Sequence, residues 1–525
     1  MQSTIMYQIF AVLLVQICVV NIYGQDTYKA AVVEFAAKLS ADTLKNRVLE
    51  NKEEFNNYIE DAAEKHVDII LFPEYGLTGM DINTHNIDEM STEVPNPNLS
   101  ISPCIKPENY SKVLVDLSCA AKTHSMYVVI NLSERVFQNG SKKKSIYHNT
   151  NVVFNREGNV IGRYRKMNLY NESYFTAGNQ TVTFKTDFGV TFGVIICKDI
   201  LFQNSSLNVL LDDSVTDVLY SAAWSSELPF FGALTVQHGY AVANGVNLLA
   251  SGYDNPSSGL GGSGIYFANG SVADIHVSGA KSSKMIIADV PKSHRKPPDT
   301  CQNAVNMPER VGDRFGIGGM MADINEFRTA KEDMSNYTFI SLNLNQTTIY
   351  ESVCDTKGSC CFINITVSKT SVNTNHVYKL AVFNGGRYIL TESIGVRVCS
   401  LVACQNVNSG SCGERNYEKP NGVIFDEIFL KAIFNVKNAH DRPATLNYNL
   451  EPINNYRFCR NVINKTSVAV TISAKNQTNL LTFGIHGRVF ENDNKGAGSF
   501  NSASFHLMYP YIVLIVSSVV FLLQN

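Results

Sequence analysis

The sequence predicts an α/β domain followed by a smaller, mostly β domain that is rich in disulfide bonds. Between Tyr28 and about Val290, short apolar runs typical of strands alternate with segments whose apolar residues recur at helical spacing. After Asp323 the helical patterns largely vanish, strand-like segments follow one another, and most of the cysteines occur. At 525 residues the chain is too long for one ordinary core, so two domains are expected.

In chain order, the first domain begins with a predicted strand, YKAAVVEFAAKL, and a helix whose apolar residues recur at three- and four-residue intervals from Leu44 to Ile59. VDIILFPE predicts a buried strand, PENYSKVLVDLSCAAKTHS a helix, and MYVVINLSERV a strand. YHNTNVVFNREGNVIGRYRK predicts a hairpin that turns at Glu157-Gly158. FGVTFGVIIC, TDVLYSAAW and VNLLASG predict three strands, with a helix at FFGALTVQHGYAVANG. We therefore expect a sheet buried between helices.

The second domain is predicted from the segments YTFISLNL, CCFINITVSKT, HVYKLAVF and GVRVCSLVAC, which are typical of strands. With the two ends of the chain, this divides the sequence into four segments. They are a signal peptide at 1–24, an α/β domain at 25–320, a β-rich domain at 321–495, and an anchor signal with a removed tail at 496–525.

The two ends of the chain predict an extracellular protein. The apolar run IFAVLLVQICVV is too short to span a bilayer comfortably and suits a signal peptide cleaved after Gly24, although no Lys or Arg precedes it. At the other end, small residues and a short spacer precede an apolar tail, as in a glycosylphosphatidylinositol (GPI) anchor signal. Asn501 is the preferred attachment site, with Gly496–Ser499 as second choice. A membrane helix is the alternative, but the tail lacks flanking basic residues.

Sequons and charge agree with this location. N-x-S/T sequons occur at Asn98, Asn109, Asn131, Asn139, Asn171, Asn179, Asn204, Asn269, Asn336, Asn345, Asn364, Asn464 and Asn476. We expect a heavily glycosylated protein held at the plasma membrane by its lipid anchor, with a shed form in addition. The formal net charge is −3 and no basic block exceeds Lys142–Lys144, so no nucleic-acid partner is expected.

The cysteine count is odd once the signal peptide is removed. Cys18 leaves with that peptide, so the 12 cysteines become 11 in the mature chain. Because most extracellular cysteines pair, an odd count predicts a free thiol or an intermolecular bridge. Cys197, in the apolar run VIICKDILF, is the candidate for the free thiol. The odd count also allows two alternatives: Cys197 is a buried structural cysteine, or Cys197 is paired and another cysteine is free. The spacings lack paired C-x2-C knuckles, so no metal site is expected.

Three polar residues end apolar runs of the first domain: Glu74 ends VDIILFPE, Lys166 ends NVIGRYRK, and Cys197 ends FGVIIC. Reactive groups of α/β proteins gather where strands end. Taken singly, each residue has a simpler explanation, namely a cap at a turn, a surface base, and core packing. Together they predict an amide-hydrolysing site.

The three side chains have complementary chemistry. The cysteine is the nucleophile, and the carboxylate takes its proton, protonates the leaving amine and then activates water. The lysine stabilises the oxyanion and keeps the thiolate charged, and the backbone N–H of Lys198 completes the oxyanion hole. A Cys-His peptidase is a weaker alternative because no motif surrounds His148 or His238. The Gly-rich segment 259–266 lacks a phosphate-loop lysine, so we expect a turn beside the substrate there.

The same segments resemble a known family. FPEYGLTG, YRKMNLY and VIICKDILF, in that order, resemble the three signature segments of the nitrilase superfamily, and LSCAAKTHSMYVVINL, VLYSAAW and GSGIY resemble its vanin and biotinidase branch. The resemblance covers roughly residues 28–290 and implies a nitrilase-like α-β-β-α sandwich. It also implies hydrolysis of linear amides without a cofactor. The implied roles are proton acceptor for Glu74, proton donor and oxyanion stabiliser for Lys166, and nucleophile for Cys197.

Three positions near the signature segments matter for this resemblance. The superfamily commonly has a further glutamate shortly after the lysine, and Glu172 is the candidate for it. An equal alternative is that Glu172 is an exposed loop acid beside a sequon. Lys198 stands where vanins usually carry an aromatic residue, so a second cation is expected to lower the pKa of the thiol or to alter the acyl pocket. Tyr75 stands where vanins have an acidic residue. Substrate preference within the branch is therefore open.

The resemblance implies a pantetheine hydrolase that releases pantothenate and cysteamine through a Cys197 thioester, with a small-molecule amide as its partner. A biotinidase-like amidase is the alternative within the enzyme class, and the predicted surface anchor favours the vanin side. A catalytically silent, glycosylated adhesion protein is the alternative outside that class. It would have lost a triad residue, and none is lost here.

Overall fold

Two β-sheets form the centre of the first domain in the computed structural model, which describes residues 26–138, 145–293, 302–303, 324–368, 377–389, 392–415, 423–453 and 455–494. The first sheet contains β1 (Thr27–Glu34), β2 (Ile69–Leu71), β3 (Ser91–Thr92), β4 (Tyr127–Phe137), β5 (Ser145–Phe154), β6 (Val160–Arg165) and β14 (Lys284–Pro291). The second contains β7 (Val182–Lys185), β8 (Thr191–Ile196), β9 (Val215–Ala222), β11 (Asn247–Gly252), β12 (Ser263–Tyr266) and β13 (Val272–His276). Their orders are β14-β1-β2-β4-β5-β6, with β3 beside β4, and β13-β12-β11-β9-β8-β7.

Helices cover the outer faces of these sheets. The described α-helices are α1 (Leu44–Glu64), α2 (Ile87–Met90), α3 (Lys112–Thr123) and α4 (Ala233–Asn244). Phe55 of α1 and Leu117 of α3 pack in the core outside the first sheet, and α4 lies on the second sheet. The Thr43 side chain accepts the Asn46 N–H and caps α1. The layers are helix, sheet, sheet and helix, which confirms the predicted sandwich.

Neighbouring residues of β1 face different cores. Val32 packs in the core between the two sheets, and Val33 packs in the core under α1 and α3. Strands β1, β2 and β4 run parallel, as do β8, β9 and β11. Since such strands are buried on both faces, their sequences are continuously apolar rather than alternating. This explains why the strand segments were recognisable as unbroken apolar runs.

Two antiparallel sheets form the second domain, as the mostly β prediction requires. One contains β15 (Gln302–Asn303), β18 (Thr348–Cys354), β19 (Cys360–Val367), β22 (Ile424–Asn435), β24 (Tyr456–Val462) and β25 (Ser467–Thr478), ordered β15-β24-β25-β22-β19-β18. The other contains β17 (Thr338–Ser341), β20 (Val377–Ile389), β21 (Glu392–Cys404), β23 (Ala439–Asn447) and β26 (Leu480–Val489), ordered β17-β20-β21-β26-β23. A short parallel pair, β10 (Glu227–Leu228) with β16 (Ala330–Lys331), joins the domains.

The five-stranded sheet lies between the first domain and the six-stranded sheet. Val396 and Val398 of β21 belong to the core shared with the first domain, whereas Leu401 belongs to the core between the two sheets of the second domain. Helix α4 is buried along its whole length because β23 packs against it. A Cβ atom at Gly239 would lie 2.5 Å from the carbonyl oxygen of Pro443, so this close approach requires glycine.

Disulfide bonds reinforce both domains. The described pairs are Cys104–Cys119, Cys354–Cys360, Cys361–Cys399 and Cys404–Cys412, and Cys459 is disulfide-bonded as well. The Cys361–Cys399 bond joins the two facing sheets of the second domain. Among the described residues, Cys197 is the free cysteine. The prediction of an unpaired thiol at Cys197 is therefore confirmed.

Glycosylation of Asn131 is a wrong prediction for the folded chain. Asn131 is 2% exposed, and its amide nitrogen donates to Asn149 Oδ1 at 2.7 Å and to Asn151 Oδ1 at 3.1 Å. A glycan would occupy that nitrogen and needs solvent around it. The other described sequon asparagines are exposed or half-buried: Asn98, Asn109, Asn171, Asn179, Asn204, Asn269, Asn336, Asn345, Asn364, Asn464 and Asn476.

Several predictions fall on residues outside the described ranges. These are the signal peptide at 1–24, the domain boundary at 320–321, the sequon at Asn139, and the anchor segment at 496–525 with Asn501. Within the described ranges, no helix combines the length and apolar character that crossing a membrane requires.

Candidate active site

The structure brings Glu74, Lys166 and Cys197 together at the carboxyl ends of strands. Glu74 comes shortly after β2, Lys166 directly after β6, and Cys197 directly after β8. Strands β2 and β6 belong to the first sheet and β8 to the second, so the cluster lies where the two sheets face each other. Glu74 is 0% exposed, Lys166 2% and Cys197 7%.

The Lys166 ammonium holds two carboxylates. Its Nζ lies 2.7 Å from Glu74 Oε1 and 2.7 Å from Glu172 Oε2. Asn149 Nδ2 bridges the same two groups, donating at 2.8 Å to each. Glu172 is 4% exposed, so its alternative interpretation as an exposed loop acid is wrong. The structure thus places Glu172 beside the three residues of the predicted triad.

Glu74 also contacts Ala223, the residue directly after β9. Its Oε2 accepts the Ala223 N–H at 2.8 Å, which leaves the carboxylate fixed by donors on both oxygens. Sγ of Cys197 lies 3.7 Å from the carbonyl oxygen of Ala223, and the charge of Glu74 acts on the pKa of the thiol. The Ala223 backbone therefore contacts both Glu74 and Cys197, which holds the carboxylate and the thiol at one site.

Burial and charge determine the protonation states of this cluster. Burial, together with the charge of Glu74, raises the pKa of the Cys197 thiol well above its usual value, against the opposing effect of Lys166. Burial acts to lower the pKa of Lys166, but Glu172 and Glu74 hold it well above its usual value. Burial acts to raise the pKa of Glu172, and Lys166 lowers it overall. The resting thiol is therefore neutral: Lys166 acts to lower its pKa, as expected, but burial and Glu74 outweigh that effect.

Cys197 occupies a tight turn. It begins the 3₁₀ turn Cys197–Leu201 and has a φ of 48°, a left-handed conformation that residues with side chains rarely adopt. Residues in such conformations persist where the surrounding structure holds them, often at functional sites. The backbone N–H of Lys198, predicted to serve the oxyanion hole, belongs to the same turn.

Asp199 holds this turn in place. Its Oδ2 accepts the Ile196 N–H at 3.1 Å and the Tyr164 hydroxyl at 2.7 Å. Its Oδ1 accepts the Asn168 N–H at 2.8 Å. Asp199 is fully buried, and burial raises its pKa to about 6. The carboxylate therefore ties the turn that begins at Cys197 to β6 and to the segment that follows Lys166.

The Lys198 side chain pairs with the second domain. Its Nζ lies 2.5 Å from Glu392 Oε2 and donates to the carbonyl oxygen of Leu169 at 3.1 Å. The ammonium also lies over the rings of Tyr170 and Phe202, at 5.7 and 5.3 Å from the ring centroids. Because Glu392 neutralises much of this charge, the expected effect of Lys198 on the thiol pKa or on the acyl pocket stays a prediction.

Tyr75, the residue directly after Glu74, contacts Glu172. Its hydroxyl donates to Glu172 Oε1, and its N–H donates to Asn131 Oδ1 at 3.0 Å. Burial and the Glu172 charge raise the pKa of Tyr75 well above its usual value, so the hydroxyl keeps its proton. With a φ of 60°, Tyr75 is a second left-handed residue at this site. The tyrosine therefore donates to Glu172 where vanins have an acid.

Sequence reasoning missed four residues that orient this cluster, namely Asn131, Asn149, Asp199 and Ala223. Two signals were available. The polar segment HNTN interrupts an otherwise apolar strand, and Asp199 follows the candidate nucleophile within an apolar segment. A buried polar residue in a strand needs partners, which is a reason to look for a site around it.

The Gly-rich segment forms a loop around another buried carboxylate. The Gly262 N–H and the Ser263 hydroxyl donate to Glu34 Oε2 at 3.0 and 2.7 Å. Gly261 and Gly262 have φ values of 149° and 111°, which residues with a side chain rarely adopt. In the described ranges, no group of three or more His, Cys, Asp or Glu side chains is arranged to hold a metal ion.

Comparison with known proteins agrees with this architecture. The family model for carbon-nitrogen hydrolase matches residues 30–296, and that for the vanin C-terminal domain matches residues 327–493. Vanin-like protein 1 of Drosophila melanogaster is 32% identical over 503 residues, covering 89% of this chain and 87% of that protein. A pantetheinase of Canis lupus familiaris is 31% identical over 420 residues (76% and 78%), and a biotinidase of Bos taurus is 30% identical over 436 residues (76% and 81%). The chain therefore belongs to the carbon–nitrogen hydrolase family, in its vanin and biotinidase branch.

Proposed function

We propose that this carbon–nitrogen hydrolase cleaves the linear amide of pantetheine, with Cys197 as nucleophile and Glu74 as general base. The observation that carries the proposal is the hydrogen-bonded cluster of Glu74, Lys166 and Glu172 against the one free thiol of the described chain. Similarity to proteins named pantetheinase supports the substrate.

The first half of the reaction forms a thioester. Glu74 takes the thiol proton of Cys197, and the sulfur attacks the carbonyl carbon of the amide. The negative charge that develops on the carbonyl oxygen is stabilised by the Lys166 ammonium and by the backbone N–H of Lys198. Glu74 then gives its proton to the amide nitrogen as the C–N bond breaks. The amine product, cysteamine, leaves, and the acyl group stays on the sulfur.

The second half hydrolyses the thioester. Glu74, now without its proton, accepts one from a water molecule that attacks the acyl carbon. The same lysine ammonium and backbone N–H stabilise the second oxyanion. The C–S bond breaks, the proton returns to the sulfur, and the acid product, pantothenate, leaves. Glu172 acts in both halves by holding the Lys166 ammonium charged and in place.

The raised thiol pKa fits this assignment of roles. A neutral resting thiol requires a base, and Glu74 is the carboxylate whose charge acts most strongly on the pKa of the thiol. The charged Lys166 cannot accept the proton, because its pKa is also raised. Proton transfer in the attacking step therefore falls to Glu74.

The deciding experiment measures cysteamine release from pantetheine by the secreted chain without its C-terminal tail. Cys197→Ala is the control, and we expect turnover in the wild type that the substitution abolishes. Biocytin is offered in parallel, because a biotinidase-like preference is the alternative that the bovine biotinidase similarity supports. A wild-type protein that is folded yet silent toward pantetheine, biocytin and simple amides would contradict the proposed activity and favour the adhesion alternative.

We also propose an extracellular location at the plasma membrane, held by a GPI anchor. The disulfide bonds support passage through an oxidising compartment, and the exposed sequons suit a glycosylated surface. Release of activity from intact cells by a phosphatidylinositol-specific phospholipase C is the test of the anchor. Activity that stays with the membrane after this treatment would contradict it.

A further inference from the structure

The outer face of the six-stranded sheet carries exposed aromatic rings. Tyr350 is 72% exposed, Phe429 43% and Phe362 36%. Their strands bury the alternate residues: Ile349, Ile363, Ile365, Ile428 and Leu430 point into the core between the sheets. Since that other face is covered by the five-stranded sheet, the rings lie on the outer layer of the described chain and face solvent. Three large rings on one exposed sheet face require an explanation.

Asn364, a sequon asparagine, lies among these rings. In the sheet register, Asn364 is opposite Tyr350 on one side and opposite Phe429 on the other. Phe362 is two residues earlier on the same strand and therefore on the same face. Directly opposite residues have Cβ atoms about 4.5–5.5 Å apart, so all three rings lie within reach of a group attached to Asn364. The sequon hydroxyl, that of Thr366, is on this face as well.

The space around Asn364 suits an attached sugar. Two open grooves meet at this residue, one of about 780 Å³ that also includes Thr366, and one of about 510 Å³ that includes Tyr350 and Phe362. Asn364 and Phe429 line both grooves. The C–H faces of a pyranose stack well on aromatic rings, while its hydroxyls stay in water. A sugar chain that leaves Asn364 therefore has a shallow, ring-lined surface on either side.

We propose that the N-linked glycan on Asn364 lies against Tyr350, Phe362 and Phe429 and forms a structural cover for this sheet face. In its attachment, the Asn364 amide nitrogen bonds to the anomeric carbon of an oligosaccharide carried on a lipid diphosphate. The bond from that carbon to the diphosphate breaks, the lipid diphosphate leaves, and the amide loses one proton. The proposal is independent of the hydrolase reaction and rests on passage through the secretory route, which the disulfide bonds support.

The glycan accounts for three exposed rings that lie outside the candidate active site. An exposed apolar surface is a liability for aggregation, and an attached sugar removes it without a protein partner. Stacking against rings that are already fixed in strands costs little additional conformational entropy. The cover therefore stabilises the second domain and keeps the sheet face from associating with other molecules.

The test compares the secreted wild type with Asn364→Gln and Thr366→Ala, two different changes that both remove the sequon. Asn345→Gln, which removes an exposed sequon in a turn, is the matched control. Glycopeptide mass spectrometry is expected to find Asn364 occupied in the wild type. Both sequon variants are expected to unfold about 2–4 °C lower and to bind more of a hydrophobic dye, whereas Asn345→Gln changes neither.

A second series shows whether the rings mediate the effect. Tyr350→Ser and Phe429→Thr place polar, strand-compatible side chains at these positions, and each is made with and without the sequon. If the glycan stacks on the rings, removing it costs less stability in the ring variants than in the wild type. Trimming the glycan to its first sugar is expected to keep most of the stabilisation. Three results would overturn the proposal. Asn364 is unoccupied; removing the sequon costs the same stability with and without the rings; or the glycosylated wild type forms dimers through this face.

Discussion

The ammonium of Lys198 and the carboxylate of Glu392 form an ion pair at 2.5 Å that ties the residue after Cys197 to the first residue of β21. Two arginines of the second domain reinforce this connection. Arg442 donates to the carbonyl oxygen of Ile200 at 2.7 Å, and Arg488 donates to that of Leu201 at 2.9 Å. The second domain thus holds the turn that carries Cys197.

Loss of the Glu392 charge is expected to affect both stability and turnover. The Lys198 side chain is 6% exposed, so Glu392→Gln leaves a buried ammonium without its counter-charge. The Glu392 side chain is 49% exposed, which limits the cost to about 1–2 kcal/mol. We expect a lower thermal midpoint and a several-fold lower kcat, with KM little changed. Thermal unfolding and steady-state kinetics measure these effects.

A double-mutant comparison isolates the pair. In a Lys198→Met background no ammonium remains to be stranded, so Glu392→Gln is expected to have no further effect. Glu427→Gln is the control, because it breaks an exposed ion pair with Lys475 on the second domain. Equal effects of Glu392→Gln with and without Lys198 would show that the two side chains act separately.

Glu172→Gln is expected to lower kcat about 10²–10³-fold while KM changes little. The substitution removes one of the two carboxylates that hold Lys166, so the group proposed to stabilise the oxyanion is no longer fixed and fully charged. Ser173→Ala is the matched control, because it removes the neighbouring sequon at Asn171 and leaves the carboxylate. If the two variants had similar kinetics, Glu172 would matter only through its loop.

The first domain could be predicted because its signals are local. The strands are buried on both faces and appear as unbroken apolar runs, and α1 shows its spacing within one segment. The surroundings of α4 could not be predicted, because the strand that covers it is far along the chain. Thr235 donates to the carbonyl oxygen of Thr445, which is 210 residues away.

At the candidate site, too, contacts with residues far along the chain could not be predicted. Glu74, Lys166 and Cys197 could be predicted because each ends an apolar run. The sequence left Glu172 open between a site glutamate and an exposed loop acid because its neighbours are polar, yet it is buried and bonded to Tyr75, which is 97 residues away. Glu392, the partner of Lys198, is 194 residues away, so the sequence showed a cation beside Cys197 but not its counter-ion.

The Glu34 carboxyl group is expected to make stability fall as pH rises. Burial raises its pKa to about 8, with a further contribution from Asp254. Between about pH 4.5 and 8, the folded chain therefore holds a proton that the unfolded chain has released. In this window the free energy of unfolding decreases with pH, by at most about 1.4 kcal/mol per pH unit from this group. Glu34→Gln is expected to flatten the decrease.

The region above pH 7 isolates Glu34 best. Burial also raises the pKa values of Asp199 and Asp217 to about 6 and that of Glu332 to about 7, and these groups contribute in the same direction but mostly at lower pH. Denaturant unfolding from pH 6 to 9 measures the slope, and Glu60→Gln on the exposed face of α1 is the control. A slope that is identical in wild type and Glu34→Gln would show that this carboxyl group ionises normally.

Alkylation of Cys197 tests whether Glu74 raises the pKa of the thiol. The thiol pKa is raised by burial and by Glu74, while Lys166 opposes them. Glu74→Gln removes that charge and leaves the Lys166 ammonium nearby, so the pKa of the thiol is expected to fall. The variant should therefore lose turnover, yet its thiol should react with iodoacetamide at lower pH than the wild-type thiol does. Mass spectrometry after timed alkylation gives the rate at each pH, and Cys197→Ala corrects for other sites. An unchanged or upward-shifted alkylation profile in Glu74→Gln would contradict the assignment of Glu74 as the neighbouring base.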